Sequence, residues 1–475
     1  QEARRQRQMC IRDRLYPPMQ KTEFHIYNTR TRAIQPFRPI DPHNIKIYVC
    51  GPTVYGHAHL GHARSAITFD LLVRTLNHLN YNTTYVRNIT DVGHLTNDTH
   101  NAEDKVGRIA HLHNIHPMQV AHRYITSYHH DMNRLNVLPP NIEPQASGHM
   151  TEQIALTTLL LQKGYAYQVN GSVYFDVPKY HTKHNYGTLS GRKINDLLAG
   201  TRTLQHQDDK RSPLDFALWK KAAPNHLMTW DAPWSKGFPG WHLECSAMSA
   251  KYLGNHFDIH GGGLDLTFPH HECEIAQHTV AYGQQPAHYW MHNNLVTINK
   301  EKMSKSANNF ITLAQCFNGN HPLLTKPYNP LVLRFFILQT HYRSTLNFSE
   351  HALQAAEKGY YKLLNTYKAL QNTSHTTKES NHTDTQANQH IQQLTKASYT
   401  ALYHDLNTAK AIGFLFDLAK YINAITTHKL AITQISHKVW HEMTSMYTAL
   451  MQDILALDQP CLLYTSPSPR DSIAS

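Results

Sequence analysis

The chain has 475 residues, of which 41% are apolar, so it is long enough for two to four domains with ordinary hydrophobic cores. Its 45 Lys and Arg outnumber its 34 Asp and Glu, and a formal net charge of +11 suits contact with a polyanion, with solubility alone as an equally good alternative. The sequence has no run of about 18 apolar residues, no apolar signal segment and only six scattered Cys, which argues against a membrane-spanning or disulfide-stapled secreted protein. We expect a cytoplasmic monomer.

The two ends of the chain differ from the rest. Residues 1–18 are basic and aperiodic, and residues 458–475 follow a helical pattern abruptly. Both resemble adapter sequence read through in assembled DNA, so we exclude them from the fold prediction and take Met19 as the start. The alternative is a natural disordered tail at each end.

The first part of the chain predicts a parallel α/β unit. Residues 45–50 alternate as in a strand, a helical pattern runs over residues 61–79, and residues 83–90 predict a second strand. The two strands of such a unit are parallel, and ligands bind beyond their carboxyl ends. Residues 257–260 and 295–298 predict further strands of the same kind of block.

The sequence after residue 330 predicts helices. Ser349 has the side chain of an N-cap, and residues 371–389, rich in Thr, Asn, His and Ser, predict a mobile connection. The helical stretches are residues 331–338, 349–370, 391–403, 408–425 and 439–457.

Together these patterns predict an α/β protein in three parts. A Rossmann-like parallel-sheet catalytic domain spans residues 19–114 and 241–330, with a connective domain inserted over residues 115–240. An all-α bundle over residues 331–457 follows.

Two motifs are suited to binding a nucleotide, although neither a phosphate loop nor a dinucleotide fingerprint is present. His59, Gly61 and His62 lie between the first strand and its helix, where small and imidazole side chains can approach phosphate oxygens. By itself this motif is weak in a chain with 37 His. The second motif, KMSKS at residues 302–306, suits a mobile basic loop that closes over a triphosphate; the alternative is a solvated basic turn.

A third set of residues could bind a metal. Cys50 ends the first strand, Cys245 lies in GWHLEC, and His270 and Glu274 share one face if FPHHECE is helical. His271 and Cys273 are competing ligands, and each Cys could instead be a small buried apolar residue.

Five strings of the sequence resemble cysteinyl-tRNA synthetases, which belong to the class I aminoacyl-tRNA synthetases. The resemblance runs from about residue 24 to residue 457 and includes the paired HLGH and KMSKS motifs. The strings are residues 48–55, 86–91, 240–248, 254–265 and 268–277.

The resemblance implies a role for each candidate residue. It makes Cys50, Cys245, His270 and Glu274 the ligands of one Zn²⁺. It makes Thr53, Trp241 and His260 the amino-acid pocket. It assigns ATP, with Mg²⁺, to His59, Gly61, His62, Asp265, Lys302, Ser304 and Lys305, of which His59, His62, Lys302 and Lys305 are catalytic.

The implied reaction is the ATP-dependent activation of L-cysteine and its transfer to tRNA(Cys), with zinc selecting the thiolate over a serine hydroxyl. The resemblance also implies that the insertion contacts the tRNA acceptor, that the helical region contacts tRNA, and that a small anticodon-contacting domain is missing after residue 457. Two alternatives remain: a related ligase that joins cysteine to an amino sugar, and a non-catalytic zinc-containing RNA-binding protein.

Overall fold

The structure is a computed structural model. The predicted foreign segment 1–18 and nearly all of 458–475 lie outside the residues that it describes, and so do Ser304 and Lys305. The described residues are 23–93, 105–200, 209–224, 226–303, 309–374 and 384–458.

The described residues up to Arg134 form a hairpin, two parallel strands and three helices. Pairing of β3 with β4 is parallel, which confirms the predicted strand–helix–strand unit. Helix α1 begins at Leu60 because the ring of His59 caps it, accepting a hydrogen bond from the backbone N–H of Gly61 at 3.0 Å. The elements are β1 (His25–Asn28), β2 (Ala33–Pro36), β3 (Ile45–Val49), α1 (Leu60–His78), β4 (Thr83–Arg87), α2 (Lys105–His113) and α3 (Pro117–Arg134).

The described residues between Ala146 and Pro239 form a four-stranded antiparallel sheet, in the order β5-β6-β7-β8, and three helices. Between α3 and this sheet, the segment from Ile142 to Gln145 runs parallel to β4 and the residues just after it. The bridges join Val86 to Ile142 and Ile89 to Gln145. The elements are a 3₁₀ turn (Ala146–His149), α4 (Met150–Gln162), β5 (Ala166–Val169), β6 (Ser172–Phe175), α5 (Val177–Lys183), α6 (Ile194–Gly200), β7 (Phe216–Lys221) and β8 (Gly237–Pro239).

The chain then returns to complete the central parallel sheet, whose strand order is β10-β9-β3-β4. The strand predicted at residues 257–260 is present and extends to Gly263. The elements are α7 (Trp241–Leu253), β9 (Phe257–Gly263), a 3₁₀ turn (Leu264–Thr267), α8 (His270–Tyr282), β10 (Ala287–Asn293), β11 (Val296–Ile298), β12 (Glu301–Lys302) and α9 (Leu313–Asn318).

The edge strand β10 was missed by the sequence analysis. Its residues are buried on both faces apart from His288, so no polar–apolar alternation marks it. The strand predicted at residues 295–298 exists as β11, but it pairs with β12 and β13 in a separate three-stranded sheet.

The predicted helical region is confirmed. Ser349 caps its helix as predicted, because its Oγ accepts the N–H of Ala352 at 3.2 Å. The helix predicted to begin at residue 391 begins at Thr385 instead, since Asp384 provides an earlier cap, and residues 385–389 are therefore not part of a mobile connection. The elements are α10 (Pro330–Leu338), β13 (Leu346–Phe348), α11 (Glu350–Gln371), α12 (Thr385–Tyr403), α13 (Thr408–Thr426), a 3₁₀ turn (Ile432–Gln434), α14 (His437–Thr448) and a π-helical turn (Ala449–Ile454).

A buried ion cluster joins α1 to the helical region. The carboxylate of Asp70 lies 2.9 Å from Arg74 Nε and 2.5 Å from Arg334 of α10, and all three side chains are almost fully buried. Arg334 also donates to the carbonyl oxygens of Leu135 and Leu455. Burial alone would raise the pKa of Asp70, but the two guanidinium groups outweigh it and hold that pKa below its usual value.

A second buried arginine, Arg64, anchors the beginning of α1. Arg64 donates hydrogen bonds to four backbone carbonyl oxygens, one in the last turn of α10 and three in the segment that follows it, at distances from 2.7 to 3.2 Å. Helix α1 carries the candidate nucleotide motif at its N-terminus, so its position is fixed from two points along its length.

We expect Asp70→Asn to lower the free energy of unfolding by about 3–5 kcal/mol, because it leaves two buried guanidinium groups without their counter-charge. The measurement is chemical denaturation at neutral pH, with Asp417→Asn as the control. Asp417 forms an exposed pair with Lys420, and its loss should cost less than about 1 kcal/mol. Equal effects of the two variants would contradict the assigned importance of the cluster.

Candidate functional site

Ligand-type side chains from three distant parts of the chain meet beyond the carboxyl ends of β3 and β9. Donor atoms of Cys50, His270, His271 and Glu274 all lie within 4.8 Å of one another. The sulfur atom of Cys245, from α7, lies 3.6 Å from that of Cys50. All four predicted metal ligands are therefore neighbours, and His271 joins them.

The imidazole rings of the adjacent residues His270 and His271 contact different partners. The Nδ1 atom of His270 lies 3.0 Å from Nδ1 of His242, which turns Nε2 toward Glu274 Oε1 at 3.1 Å. This Nε2 atom is buried and has no well-directed hydrogen bond from any described residue. His271 has partners on both sides, with His292 at 2.8 Å and the Cys50 sulfur at 3.3 Å. A metal ion among these donors would give Nε2 of His270 the well-directed partner that it lacks.

The two thiols share an electrostatic environment that favours a single thiolate. Burial and the neighbouring Cys245 raise the pKa of Cys50 well above its usual range. Burial also opposes ionisation of Cys245, but the hydrogen bond from Cys50 and the nearby His270 lower its pKa to about 7. Two sulfurs, an imidazole and a carboxylate form a donor set that fits Zn²⁺ or a similar metal ion.

The third cysteine of this region has a different environment. Cys273 lies in the same helix as His270, but its sulfur contacts the hydroxyl of Tyr186 at 3.4 Å and is fully buried. This contact favours Cys245 over Cys273 as the second sulfur ligand.

Two of the three predicted pocket residues, Trp241 and His260, contact this cluster. Trp241 is 37% exposed and its ring lies 4.4 Å from that of His270, so it offers a surface beside the cluster. Thr53 pairs with Thr90 just beyond the end of β3. His260 is fully buried and hydrogen-bonds Glu274 Oε2 at 2.8 Å, which places it behind a candidate ligand rather than on an open wall.

The nucleotide motif forms the N-terminus of α1. The ring of His59 accepts from the N–H of Gly61, and the Nδ1 atom of His62 accepts from the N–H of His59 at 3.3 Å. Burial lowers the pKa of His62 to about 4, so its ring is neutral at pH 7. In neutral rings these acceptor roles leave the proton on each Nε2.

Two residues of the chain around the predicted basic loop, one before and one after Ser304 and Lys305, lie next to this motif. A Cβ atom added to Gly61 would lie 3.8 Å from the methyl group of Met303, and the ring of Phe310 lies 5.0 Å from that of His59. Lys302 is exposed at the end of β12. Ser304 and Lys305 lie outside the described residues. Asp265 is exposed in the 3₁₀ turn after β9.

Several site neighbours were missed by the sequence analysis. Asn88 accepts from the N–H of Gly51 at 2.9 Å and lies 3.7 Å from the Cys245 sulfur. A Cβ atom at Gly51 would lie 1.6 Å from the carbonyl oxygen of Asn88, so only glycine permits this close approach. Tyr48 has a buried hydroxyl beside the thiols, and its pKa is raised by burial and by Cys245. The predicted parallel pairing of β3 with β4 could have placed Asn88 beside Gly51, but not beside Cys245 of α7.

Two family models match the chain. Residues 36–358 match the model described as tRNA synthetases class I (C) catalytic domain, and residues 397–457 match the DALR domain. The first match contains every candidate site residue, and the second lies in the helical region.

Solved structures with the same fold are class I synthetases of low sequence identity. A methionyl-tRNA synthetase from Mycobacterium tuberculosis, in complex with methionyl-adenylate, superposes with a TM-score of 0.61 at 12% identity over 87% of this chain and 91% of that chain. A LeuRS–tRNA–LeuAMS complex from Agrobacterium radiobacter K84 gives 0.58 at 12% identity over 88% and 87%. Fold and matched domain define a class I aminoacyl-tRNA synthetase, as the sequence predicted.

Comparison with curated relatives shows which family of class I synthetases the chain belongs to. The chain is 54% identical to the cysteine–tRNA ligase of Azobacteroides pseudotrichonymphae over 87% of this chain and 82% of the relative. It is 53% identical to that of Phocaeicola vulgatus over 91% and 86%, and 49% identical to that of Chlorobaculum tepidum over 85% and 79%. The chain belongs to the cysteine–tRNA ligase family, which confirms the predicted family. Among the described residues, no helix has the length and apolar character needed to cross a membrane.

We expect Cys245→Ala to lose the bound metal during dialysis, because it removes one of two adjacent sulfur donors. The measurement is metal content per chain by mass spectrometry. Cys273→Ala is the matched control and should retain the metal. Loss of metal from Cys273→Ala, or full retention by Cys245→Ala, would contradict the ligand set.

Proposed function

We propose that this chain charges tRNA(Cys) with L-cysteine in two steps. The carboxylate of cysteine attacks the α-phosphate of ATP to give cysteinyl-adenylate and pyrophosphate, and a hydroxyl of the terminal ribose of the tRNA then takes the cysteinyl group with release of AMP. The observation that carries the proposal is the clustering of Cys50, His270 and Glu274, with the Cys245 sulfur 3.6 Å from that of Cys50, because Cys50 lies in the same segment between β3 and α1 as the nucleotide motif. The family membership of the chain supports the same reaction.

These four residues would hold one Zn²⁺, a ligand set that is favoured by the donor chemistry and by the buried Nε2 atom of His270, which has no well-directed hydrogen bond from the described residues. Bound zinc supplies a soft Lewis acid that binds a thiolate far better than a serine hydroxyl, a discrimination that an apolar pocket achieves poorly. Trp241 lies on the exposed side of the cluster, where it would cover the substrate. Thr53 would line the same pocket, and His260 would hold Glu274 in place.

His59 and His62 would stabilise the phosphate charge that develops during activation. Their Nδ1 atoms accept backbone N–H groups, so in neutral rings each Nε2 atom carries the proton that would be donated to a phosphate oxygen. Gly61 leaves space for the nucleotide, and Asp265 would bind the ribose. Lys302, Ser304 and Lys305 would close over the triphosphate and its Mg²⁺ and neutralise the leaving pyrophosphate.

The acceptor is inferred from the chain outside the catalytic sheet. The helical region and the insertion would contact tRNA, in keeping with the net charge of +11. We further propose a monomer that works in the cytoplasm, where charged tRNA is used. Identity above 50% to named cysteine–tRNA ligases over most of the chain favours this acceptor over an amino sugar.

The direct test is ATP–pyrophosphate exchange. We expect exchange with cysteine, no exchange with serine, and loss of exchange after a chelator removes the metal, with recovery on adding Zn²⁺. Absence of cysteine-dependent exchange in folded, zinc-loaded protein would overturn the proposal and favour a non-catalytic binding protein. A charging assay with tRNA(Cys) then tests the acceptor.

We expect Lys305→Ala to slow exchange by about 10²–10³-fold, because it removes a cation that stabilises charge only in the transition state. Bound zinc should not change. Lys300→Ala is the control, since Lys300 is an exposed cation just outside the motif. Equal rates for the two variants would contradict the role of the loop.

A further inference from the structure

A loop of the inserted region contacts the first turn of the helix that carries His270 and Glu274. The hydroxyl of Tyr186 lies 3.4 Å from the sulfur of Cys273, and the guanidinium group of Arg192 stacks over the ring of Phe268 at 4.5 Å. Between these two contacts, the loop surrounds the carboxylate of Glu272 in α8.

Glu272 is 1% exposed, and it is held by hydrogen bonds from this loop alone among the described residues. Its Oε2 atom accepts the N–H of Ser190 at 3.0 Å, the hydroxyl of Ser190 at 3.2 Å and the N–H of Leu189 at 3.2 Å. Its Oε1 atom lies 3.5 Å from the hydroxyl of Thr188. No described cation forms an ion pair with it, so these donors stabilise the carboxylate.

The loop is closed by a backbone hydrogen bond of its own and is packed tightly. The N–H of Gly191 donates to the carbonyl oxygen of Gly187 at 2.8 Å and closes the loop on itself. Gly187 has φ of +98°, and a Cβ atom there would lie 2.1 Å from the carbonyl oxygen of Arg192. Leu189 is buried.

The position of Glu272 in α8 makes this anchor relevant to the metal. His270 and Glu274 are four residues apart and share one face, whereas Glu272 lies between them in sequence and projects from the opposite side of the helix. The hydrogen bonds that hold the carboxylate of Glu272 therefore fix the rotation of the helical turn that carries both candidate ligands.

We propose that Glu272 is a positioning residue, which fixes the first turn of α8 against the loop at residues 187–192 and so aims His270 and Glu274 at the metal. The role rests on the proposed function of the metal in binding cysteine. Groups that orient metal ligands typically change metal affinity or activity by about 10–100-fold when they are removed.

The matched control is Asp215, a carboxylate of the inserted region that is buried in the same way. It accepts the hydroxyl of Tyr167 at 2.6 Å and the N–H groups of Val177 and Ser212 at 3.0 Å, and it contacts no metal-ligand helix in these hydrogen bonds. Asp215→Ala removes a comparable network, so it should lower the thermal midpoint without changing the metal site.

The experiment measures zinc affinity by chelator competition, together with KM for cysteine and for ATP in pyrophosphate exchange. We expect Glu272→Ala to weaken zinc binding and raise KM for cysteine by about 10–100-fold, with KM for ATP within about threefold of the wild type. Glu272→Gln keeps one acceptor oxygen for the converging donors and should recover most of both values.

If Glu272→Ala does not fold, Ser190→Ala provides the test, because it removes one donor hydroxyl and should weaken zinc binding several-fold. Zinc binding by these variants that is as tight as that of Asp215→Ala would overturn the positioning role. An inactive, zinc-loaded wild type would instead overturn the proposed function, so the two failures are distinguishable.

Discussion

The convergence of ligand-type side chains at the edge of the parallel sheet is the constraint on which the rest of the structure depends. Cys50 follows β3, and its N–H donates to the carbonyl oxygen of Gly261 in β9 at 3.0 Å. Because adjacent parallel strands end at the same edge, the segments that follow them meet there. Helices α7 and α8 then bring Cys245 and the pair His270 and Glu274 to the same point.

Much of the surrounding structure serves to hold this arrangement of buried polar groups. His242 and His260 orient the imidazole of His270 and the carboxylate of Glu274, and His260 and His270 together hold the pKa of Glu274 well below its usual value despite its burial. The nucleotide motif is held more remotely, since Arg64 and the Asp70 cluster fix α1 against the helical region. The metal pocket and the nucleotide site are thus supported by different networks.

The sequence predicts those parts of this arrangement that are encoded by residues close to one another in the chain. The unit of β3, α1 and β4 and the cap at Ser349 follow from periodicity and side-chain chemistry within a few residues. The face shared by His270 and Glu274 follows from helical spacing. By contrast, β10 has no alternation to reveal it, because both of its faces are buried.

The contacts that the sequence could not predict are between distant segments. Asn88 beside Cys245, and the loop around Glu272, depend on how strands and inserted elements pack, which no local pattern records. The choice between Cys245 and Cys273 was open for the same reason, and the contact of Cys273 with Tyr186 gives the structural argument for Cys245. The boundaries of the inserted region at residues 115 and 240 remain a prediction.

The most direct test of the account is X-ray absorption spectroscopy at the zinc edge of the loaded protein, with and without L-cysteine. Two sulfur and two lighter ligands are expected from Cys50, Cys245, His270 and Glu274, and cysteine should add a third sulfur at about 2.3 Å while serine adds none. A zinc environment that cysteine leaves unchanged, or one without sulfur in the resting protein, would contradict the claim that this cluster recognises the thiol.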